Sequence, residues 1–446
     1  MHSLKKSIML IMKAALPVVA SVIFLYTVKT YYFSLTGFFS KGFILFAVLY
    51  GVLDLLFLIM YGGTRIDSER PRNLMLSSAL SLLFSNIIVY VILSLLALKL
   101  VYPVPLIISM IVQILVSCLI CRLLVGTVRR LYPPTSTAAV ISVSDNDTDA
   151  VEKIRKFDYR HRINAVFSAS DLDESLSVLK DYSSVVIGDL PYNIRAKLLS
   201  YCYTEGKDIV LIPRIDDIML NNSVQYIVND RLLYVDKYTG FSTEAAFIKR
   251  LFDICFSLLA IIITSPVMAV VAVLIHSYDK GPALFRQTRL TKDGRAFTIV
   301  KFRSMIENAE KKGGTYLVLD GDDRITPIGK VIRALRIDEL PQLFNILKGD
   351  MSFVGPRPER PELYDIYCKD NPEFRHRLKV KAGLTGYAQV YGKYNTTAAD
   401  KVKLDLLYIE KASLLQDMQI LLYTLKIIFI KESSEGLTDT DKAAKK

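Results

Sequence analysis

The stretch RIDELPQLFNILKGDMSFVGPRPERPE, from Arg336 to Glu362, combines two adjacent acids, a predicted helix and an arginine between two prolines. Asp338 suits the N-cap of a helix, Pro341 suits its first turn, and Gly349 suits its end. Apolar residues recur at helical spacing between these limits. The sequence therefore predicts that both acids lie at the N-terminus of one helix.

Asp338 and Glu339 would project from such a helix in directions about 100 degrees apart. They can therefore take different roles, in which one carboxylate attacks a substrate and the other holds a cation. A helix N-terminus, together with the nearby Arg333 and Arg336, is expected to keep both carboxylates ionised. This state suits a nucleophile or a metal ligand. The alternative is an N-cap aspartate followed by a surface glutamate.

Cationic residues and a stiff proline-flanked segment surround the acid pair in the sequence. Lys301 and Arg303 alternate along a predicted strand after the turn signal Asp293–Gly294, so both side chains would project from one face toward a pyrophosphate. Prolines on both sides of Arg357 would hold its guanidinium on a rigid backbone that suits phosphate binding. The candidate substrate-binding residues are Lys301, Arg303, Arg333, Pro356, Arg357 and Pro358.

The composition points to a membrane protein. Of the 446 residues 52% are hydrophobic, and the net charge is +12. Such a charge suits an anionic membrane face, and no nucleic-acid-binding motif accompanies it. The five cysteines are scattered and the four histidines lack metal-ligand spacing. Zinc and iron are therefore not expected, and any metal would have oxygen ligands, which favours Mg²⁺.

Four apolar segments near the N-terminus are each close to the roughly 20 residues that cross a bilayer. Basic residues flank alternate ends of these segments, which predicts that both ends of the four-helix unit face the cytoplasm. Asp54 is the one acid inside them, and it marks either a polar path or a helix-packing contact, of which we favour the second. The segments are Ile8–Val28, Phe43–Tyr61, Leu74–Leu98 and Val104–Val125.

The middle of the chain, residues 132–240, alternates short β-branched runs with charged amphipathic stretches. This alternation predicts a Rossmann-like parallel sheet. The first predicted strand leads into Ser144–Asp147 without a GxGxxG turn, so dinucleotide binding is not expected. We assign this domain a regulatory or packing role, with nucleotide sensing as the alternative.

A fifth apolar segment, residues 251–275, contains Ser265 and Pro266 at its centre. Proline frees a backbone carbonyl and kinks a helix, and the adjacent serine can bond to that carbonyl. Basic residues flank both ends, which favours a re-entrant helix that returns to the cytoplasmic side. The alternative, a kinked spanning helix, would place the acid pair outside the cell, away from soluble nucleotide donors.

Three motifs in the last part of the chain match the signatures of one family in order. Residues from about Phe247 to Ile430 therefore resemble the bacterial sugar transferases, the monotopic polyprenol-phosphate phosphoglycosyl transferases. In that family a Ser-Pro break forms the re-entrant helix, which Ser265 and Pro266 match. Lys393 stands where many members have arginine. The motifs are KFRSM at Lys301–Met305, DELPQLFNILKGDMSFVGPRPE from Asp338, and GLTGYAQVYGK at Gly383–Lys393.

The resemblance implies transfer of a sugar 1-phosphate from a UDP-sugar to undecaprenyl phosphate. Asp338 would attack the β-phosphate and form a covalent sugar-phosphate intermediate with release of UMP. Glu339 would hold Mg²⁺, and Arg357, Lys301 and Arg333 would complete the cationic site. The layout is similar to the large members that start exopolysaccharide, capsule or O-antigen synthesis, for which glucose or galactose is expected ahead of N-acetylated sugars.

We therefore predict a multi-pass protein of the bacterial inner membrane, α plus α/β in class, with its catalytic domain on the cytoplasmic face. Self-association as a homodimer through the middle domain is a further hypothesis. The predicted parts are a four-helix transmembrane domain at 1–131, a Rossmann-like domain at 132–240, a mainly helical catalytic domain at 241–432 with the re-entrant helix at 251–275, and a disordered tail at 433–446.

Two other functions account for parts of the sequence. A transporter or flippase of lipid-linked sugars would use the four apolar segments and Asp54, but it would leave Lys301, Asp338 and Arg357 without a role. A sugar-nucleotide epimerase or dehydratase would use the middle domain, which lacks the glycine-rich turn that such an enzyme needs.

Overall fold

A computed structural model describes residues 2–32, 40–142, 145–169, 176–235, 241–306, 323–392 and 396–428. The chain divides into two units, Met1–Pro213 and Arg214–Lys446. The predicted disordered tail at 433–446 and Lys393 of the third motif lie outside the described residues.

The first unit begins with four apolar helices at the predicted segments, each long and apolar enough to cross a membrane. Side-chain hydrogen bonds join them inside the bundle: Gln113 donates to the Ala20 carbonyl oxygen and accepts from Tyr50 and Asn86. The prediction of several apolar helices in this part is confirmed. They are α1 (His2–Tyr31), α2 (Ser40–Met60), α3 (Pro71–Leu96) and α4 (Val104–Leu131).

Asp54 on α2 is buried inside this bundle, with 3% of its surface exposed. Its carboxylate accepts a 2.6 Å hydrogen bond from Ser81 Oγ on α3, and the same hydroxyl contacts the Asp54 carbonyl oxygen at 2.8 Å. The acid therefore joins two neighbouring helices, as the helix-packing interpretation requires.

A parallel sheet of four strands in the order β2-β1-β3-β4 follows, with helices α5 (Asp145–Phe157) and α6 (Tyr192–Thr204). Alternate residues of β1 and β3 belong to two different apolar clusters, so both faces of the sheet are covered. This explains their continuous apolar runs. The predicted parallel sheet is confirmed. Its strands are β1 (Thr135–Ile141), β2 (His161–Ser168), β3 (Ser184–Ile187) and β4 (Asp208–Leu211).

The Asp147 carboxylate closes the edge of the sheet where β1 and β3 end. It is 2% exposed and accepts hydrogen bonds of 3.1 Å from the backbone N–H groups of Ser142 and Asp189. A Cβ atom on Gly188 would lie 2.6 Å from this carboxylate, so the close approach requires glycine. In related folds a bound phosphate takes the N–H groups at this edge. Here an internal carboxylate takes them.

The second unit is mainly helical, as predicted, with two-stranded sheets among its described residues. Its helices are α7 (Ile215–Leu220), α8 (Thr243–Asp279), α9 (Pro327–Ala334), α10 (Gln342–Lys348), α11 (Pro361–Asp370), α12 (Tyr387–Tyr391), α13 (Ala398–Glu410) and α14 (Leu414–Ile428). Its strands are β5 (Val224–Val228), β6 (Arg231–Val235), β7 (Leu284–Leu290), β8 (Ala296–Phe302), β9 (Ser352–Val354) and β10 (Gly383–Thr385).

One apolar core holds most of the second unit together, including Ile346 of α10 and Leu406 of α13. Ile218 of α7 and Ile420 of α14 belong to the same core. A boundary at residue 240 would therefore separate α7 from the core in which it packs. Helix α14 packs one face, which includes Ile420, against this same core.

Helix α8 is a single assigned helix of 37 residues that contains Pro266. Proline has no N–H group for the Ile262 carbonyl oxygen, and Ser265 Oγ donates to that oxygen at 2.9 Å instead. The serine thus takes up the freed carbonyl, as the sequence suggested. The helix is also long and apolar enough to span a bilayer.

Candidate active site

The acid pair lies in a short 3-10 turn, Ile337–Glu339, between α9 and α10. Helix α10 begins only at Gln342, with Pro341 before it, so the predicted N-cap position of Asp338 is wrong. Arg336 has a left-handed backbone, with φ at 53°, and this ends the helical path before the acids. The helix end that would stabilise both ionised carboxylates is therefore displaced along the chain.

Glu339 is buried between two cations. Its Oε1 atom lies 3.1 Å from Lys301 Nζ and 3.0 Å from Arg357 Nη2. Burial alone would raise the pKa of Glu339, but Arg357, Lys301 and Arg336 together hold that pKa well below its usual range. Glu339 is therefore a fixed negative charge at neutral pH.

Asp338 has different surroundings. Across the residues that the structure describes, no hydrogen bond or ion pair is assigned to its carboxylate. Burial and the adjacent Glu339 raise the pKa of Asp338, and Lys301 and Arg333 oppose that rise only in part. The sequence-based expectation that Asp338 is ionised stays a prediction; its pKa is raised because desolvation and the neighbouring charge outweigh the nearby cations.

Strand β8 delivers Lys301 to the acids, and Asn345 of α10 fixes the strand in place. The Asn345 side chain accepts from Val300 N at 3.1 Å and donates to the Thr298 carbonyl oxygen at 2.8 Å. Burial and the Arg357 charge lower the pKa of Lys301, while Glu339 opposes that change. Sequence reasoning missed Asn345, although an amide among apolar residues at helical spacing is a usable signal.

The backbone around Arg357 is held at successive carbonyl oxygens. Those of Pro356, Arg357 and Pro358 each accept a hydrogen bond, while the Arg357 side chain is 44% exposed. Both prolines are buried. The predicted rigid presentation of this guanidinium is thus supported by contacts on both sides. The donors are Gly383 N at 2.9 Å, Arg377 Nη2 at 3.2 Å and Arg289 Nη1 at 3.0 Å.

Arg303 does not join the acid pair. Strand β8 ends at Phe302, and the Arg303 side chain turns to form an ion pair with Asp279 at the end of α8. The predicted common face for Lys301 and Arg303 is therefore wrong. Arg333 lies in the last turn of α9, and its charge acts on Asp338.

The acid pair offers carboxylate oxygens to a metal ion. In the described ranges, no cluster of three or more His, Cys, Asp or Glu side chains is arranged to hold an ion. Mg²⁺ is commonly held by one or two carboxylates with phosphate oxygens and water. Both cation contacts of Glu339 use Oε1. The Glu339 carboxylate therefore fits a Mg²⁺ ion that takes its remaining oxygens from phosphate or water, not a cage made of protein alone.

Comparison with known proteins places these residues in a family context. Residues 244–431 match the bacterial sugar transferase family. A UDP-N-acetylgalactosamine-undecaprenyl-phosphate N-acetylgalactosaminephosphotransferase of Aeromonas hydrophila is 46% identical over 186 residues, which cover 41% of this chain and 44% of that protein. An undecaprenyl-phosphate galactose phosphotransferase of Salmonella typhimurium is 30% identical over 302 residues, which cover 60% and 62%.

A third relative is covered more fully. The UDP-glucose:undecaprenyl-phosphate glucose-1-phosphate transferase of Caulobacter vibrioides is 38% identical over 191 residues, which cover 42% of this chain and 71% of that protein. The matched segments span less than two thirds of the Aeromonas and Salmonella proteins. The family match at residues 244–431 lies in the unit that carries the acid pair.

Proposed function

Because the chain belongs to the bacterial sugar transferase family, we propose that it transfers a sugar 1-phosphate from a UDP-sugar to undecaprenyl phosphate and releases UMP. The observation that carries this proposal is the contrast between two adjacent acids. Glu339 is held by two cations, whereas Asp338 has no assigned partner among the described residues. One acid is fixed and the other is available for reaction.

In the first step, a carboxylate oxygen of Asp338 attacks the phosphorus that carries the sugar. A bond forms between that oxygen and phosphorus, and the bond from phosphorus to the UMP oxygen breaks. UMP leaves with the bonding electrons. Lys301 and Arg357 border the acids and stabilise the negative charge that develops on the phosphate oxygens.

In the second step, a phosphate oxygen of undecaprenyl phosphate attacks the same phosphorus, and the Asp338 carboxylate is released. The product is a lipid linked to the sugar through a diphosphate. A covalent intermediate suits this pair of substrates because the soluble donor and the membrane-bound acceptor need not be held together.

Mg²⁺ is part of the proposal. Glu339 would hold the ion, with the substrate diphosphate supplying further oxygens. When bound, it would neutralise charge on the diphosphate. Lys301 and Arg357 would still orient Glu339, since both contact its Oε1 atom.

The proposal includes a re-entrant course for α8, because both halves of the helix contact the second unit. In the first half, Arg250 donates to the Ile346 carbonyl oxygen at 2.7 Å, and Asp253 accepts from Phe353 N at 3.1 Å. In the second half, Met268 and Ile275 belong to an apolar cluster of the same unit. A straight helix of this length would be about 55 Å long. These contacts of both halves with one unit support our proposal that the two ends of α8 lie on the same side of the membrane.

Labelling of single cysteines tests this topology. Thr243→Cys and Lys280→Cys, in a chain whose five native cysteines are replaced, should both resist a membrane-impermeant thiol reagent in intact cells and react after lysis. Lys280 is preferred to Gly281 because a side chain at Gly281 would collide with Arg303. Labelling of Lys280→Cys from outside intact cells would show that α8 spans the membrane.

UMP release tests the reaction itself. The full chain in detergent, with Mg²⁺ and undecaprenyl phosphate, should form UMP and a lipid-linked sugar from one of a panel of UDP-sugars. We propose UDP-glucose or UDP-galactose as the donor, and the panel includes UDP-N-acetylgalactosamine and UDP-N-acetylglucosamine. Failure with every donor would overturn the proposal. We further propose that the site lies on the cytoplasmic face of the bacterial inner membrane, because UDP-sugars are made in the cytoplasm.

A further inference from the structure

Three consecutive residues at the end of β8 contact three different parts of the second unit. Lys301 contacts Glu339. Phe302 is buried in the apolar cluster formed with the second half of α8. Arg303 forms an ion pair with Asp279, the last residue of α8. The strand therefore joins the acid pair to the second half of α8. We call this the returning half, because in the proposed re-entrant course it leads back to the side of the membrane from which the helix enters.

Arg303 is enclosed at this position, with 8% of its surface exposed. Its backbone N–H donates to the Ala283 carbonyl oxygen at 2.9 Å, and Asp279 also accepts from Gly281 N at 3.1 Å. A Cβ atom on Gly281 would lie 2.5 Å from Arg303 Nη1. The guanidinium is thus packed against a glycine in the turn that follows α8.

The returning half of α8 also supports the turn that holds the acids. Ile337 and Leu340, which flank Asp338 and Glu339 in the sequence, pack against the cluster that contains the α8 residues. Interiors packed in this way transmit small displacements instead of absorbing them. A shift of the returning half of α8 would therefore move the acid pair.

We propose that Arg303 is a positioning residue, which holds the returning half of α8 through Asp279 and thereby sets the place of Asp338. This inference rests on the proposed transferase function. It also replaces the sequence-based role of Arg303 as a substrate ligand. Arg303 Nη1 is buried, so a phosphate could reach it only if the guanidinium left its site.

A double-mutant cycle tests the proposal. Arg303→Gln and Asp279→Asn in the full chain should each lower kcat for lipid-linked product by about 100-fold, since a misplacement near 1 Å costs that much. KM for the UDP-sugar should stay within about twofold of the wild-type value. The kcat of the double variant should be no lower than that of the less active single variant, because both changes remove the same contact.

Two further variants guard against failure to fold. Gly281→Ala keeps both charges but displaces the guanidinium, and it should give the same loss of kcat with unchanged KM. Arg303→Lys should recover part of the lost rate. Arg286→Gln, at an exposed position on β7, is the matched control and should behave as the wild type. Thermal unfolding of each variant in the same detergent reports folding.

Other results would overturn the inference. A rise in KM of about tenfold in Arg303→Gln, with wild-type behaviour in Asp279→Asn, would make Arg303 a substrate ligand. Wild-type kcat in both variants would remove any positioning role. If the wild-type chain releases no UMP with any donor, the proposed function fails. If it turns over and the variants do not differ from it, only this inference fails.

Discussion

Buried acids occur in both units of the molecule, but their surroundings differ. In the first unit, Asp54 accepts from a serine hydroxyl and Asp147 accepts from backbone N–H groups, so neutral donors of the fold satisfy them. In the second unit, Asp253 is likewise satisfied by Ser352 Oγ and Phe353 N. The acid pair differs: Glu339 is held by two cations, and Asp338 has no assigned partner among the described residues. A buried acid whose oxygens are hydrogen-bonded stabilises a fold, whereas the half-buried Asp338, without such a partner and beside cations, is available for chemistry.

The sharpest test of this contrast is Asp338→Asn. It should lower UMP release by about four orders of magnitude or more, because it removes the nucleophile. Mass spectrometry of the intact chain should show a sugar-phosphate adduct in the wild type and none in the variant. Asp54→Asn is the matched change in the first unit and should leave turnover within about twofold. An adduct that persists in Asp338→Asn would assign the nucleophile elsewhere.

Glu339→Gln should have the second largest effect. We expect a loss of about 100-fold to 1000-fold in kcat, since the cations lose the charge that orients them. The free energy of unfolding should fall by about 1–3 kcal/mol because Lys301 loses a buried partner. Steady-state kinetics across Mg²⁺ concentrations and denaturant unfolding would measure both. Turnover at the wild-type rate with the wild-type Mg²⁺ dependence would exclude Glu339 from the site.

The roles of the two acids should also be distinguishable by the pH dependence of activity and of stability. The pKa of Asp338 is raised above its ordinary 3.8, so activity should fall on the acid side while most exposed aspartates are still ionised. The pKa of Glu339 is held below its ordinary 4.5, so its stabilising contribution is present above 4.5 and is lost as pH falls toward its folded pKa. Parallel profiles of kcat and unfolding free energy would test this order. Loss of stability before loss of activity would reverse the assignment.

The smallest expected effect concerns removal of the first unit. A chain that begins at Arg214 should release UMP at a rate within about fivefold of the full chain, because every candidate catalytic residue lies in the second unit. A chain that begins at Gly240 is the comparison. It lacks Ile218, so its free energy of unfolding should be lower by about 2–4 kcal/mol. Rates are compared per folded molecule in matched detergent. A folded but inactive Arg214 chain would give the first unit a part in the site.

Local signals were enough to predict much of the architecture. The membrane helices follow from apolar runs of sufficient length, and the parallel sheet follows from short β-branched runs. The Asp293–Gly294 turn was readable because both residues adopt positive φ angles, 58° and 75°, which their types favour. Thr326 and Pro327 open α9 with residue types that suit the N-cap and the first turn of a helix.

The errors concern features that depend on distant contacts. The start of α10 was misplaced because Arg336 has a left-handed backbone, which a non-glycine residue seldom adopts and which the sequence does not signal. Arg303 was given the wrong partner because its ion pair with Asp279 joins a strand to the end of a membrane helix. The raised pKa of Asp338 depends on burial, which no spacing of charges reveals. These features decide how the site works, and a linear pattern does not encode them.

The contacts of α8 differ in how far apart their partners lie in the sequence. Asp279 and Arg303 are 24 residues apart, whereas Arg250 and Ile346 are 96 apart and Lys249 and Asp417 are 168 apart. Because the ribosome releases the chain from its N-terminus onward, the C-terminal half of α8 gains its partner Arg303 soon after it is made. The N-terminal half gains its partners later, first Ile346 and then Asp417. Short loops also close at the lowest entropic cost. We therefore expect biosynthesis to secure the far end of the membrane helix first and the near end last.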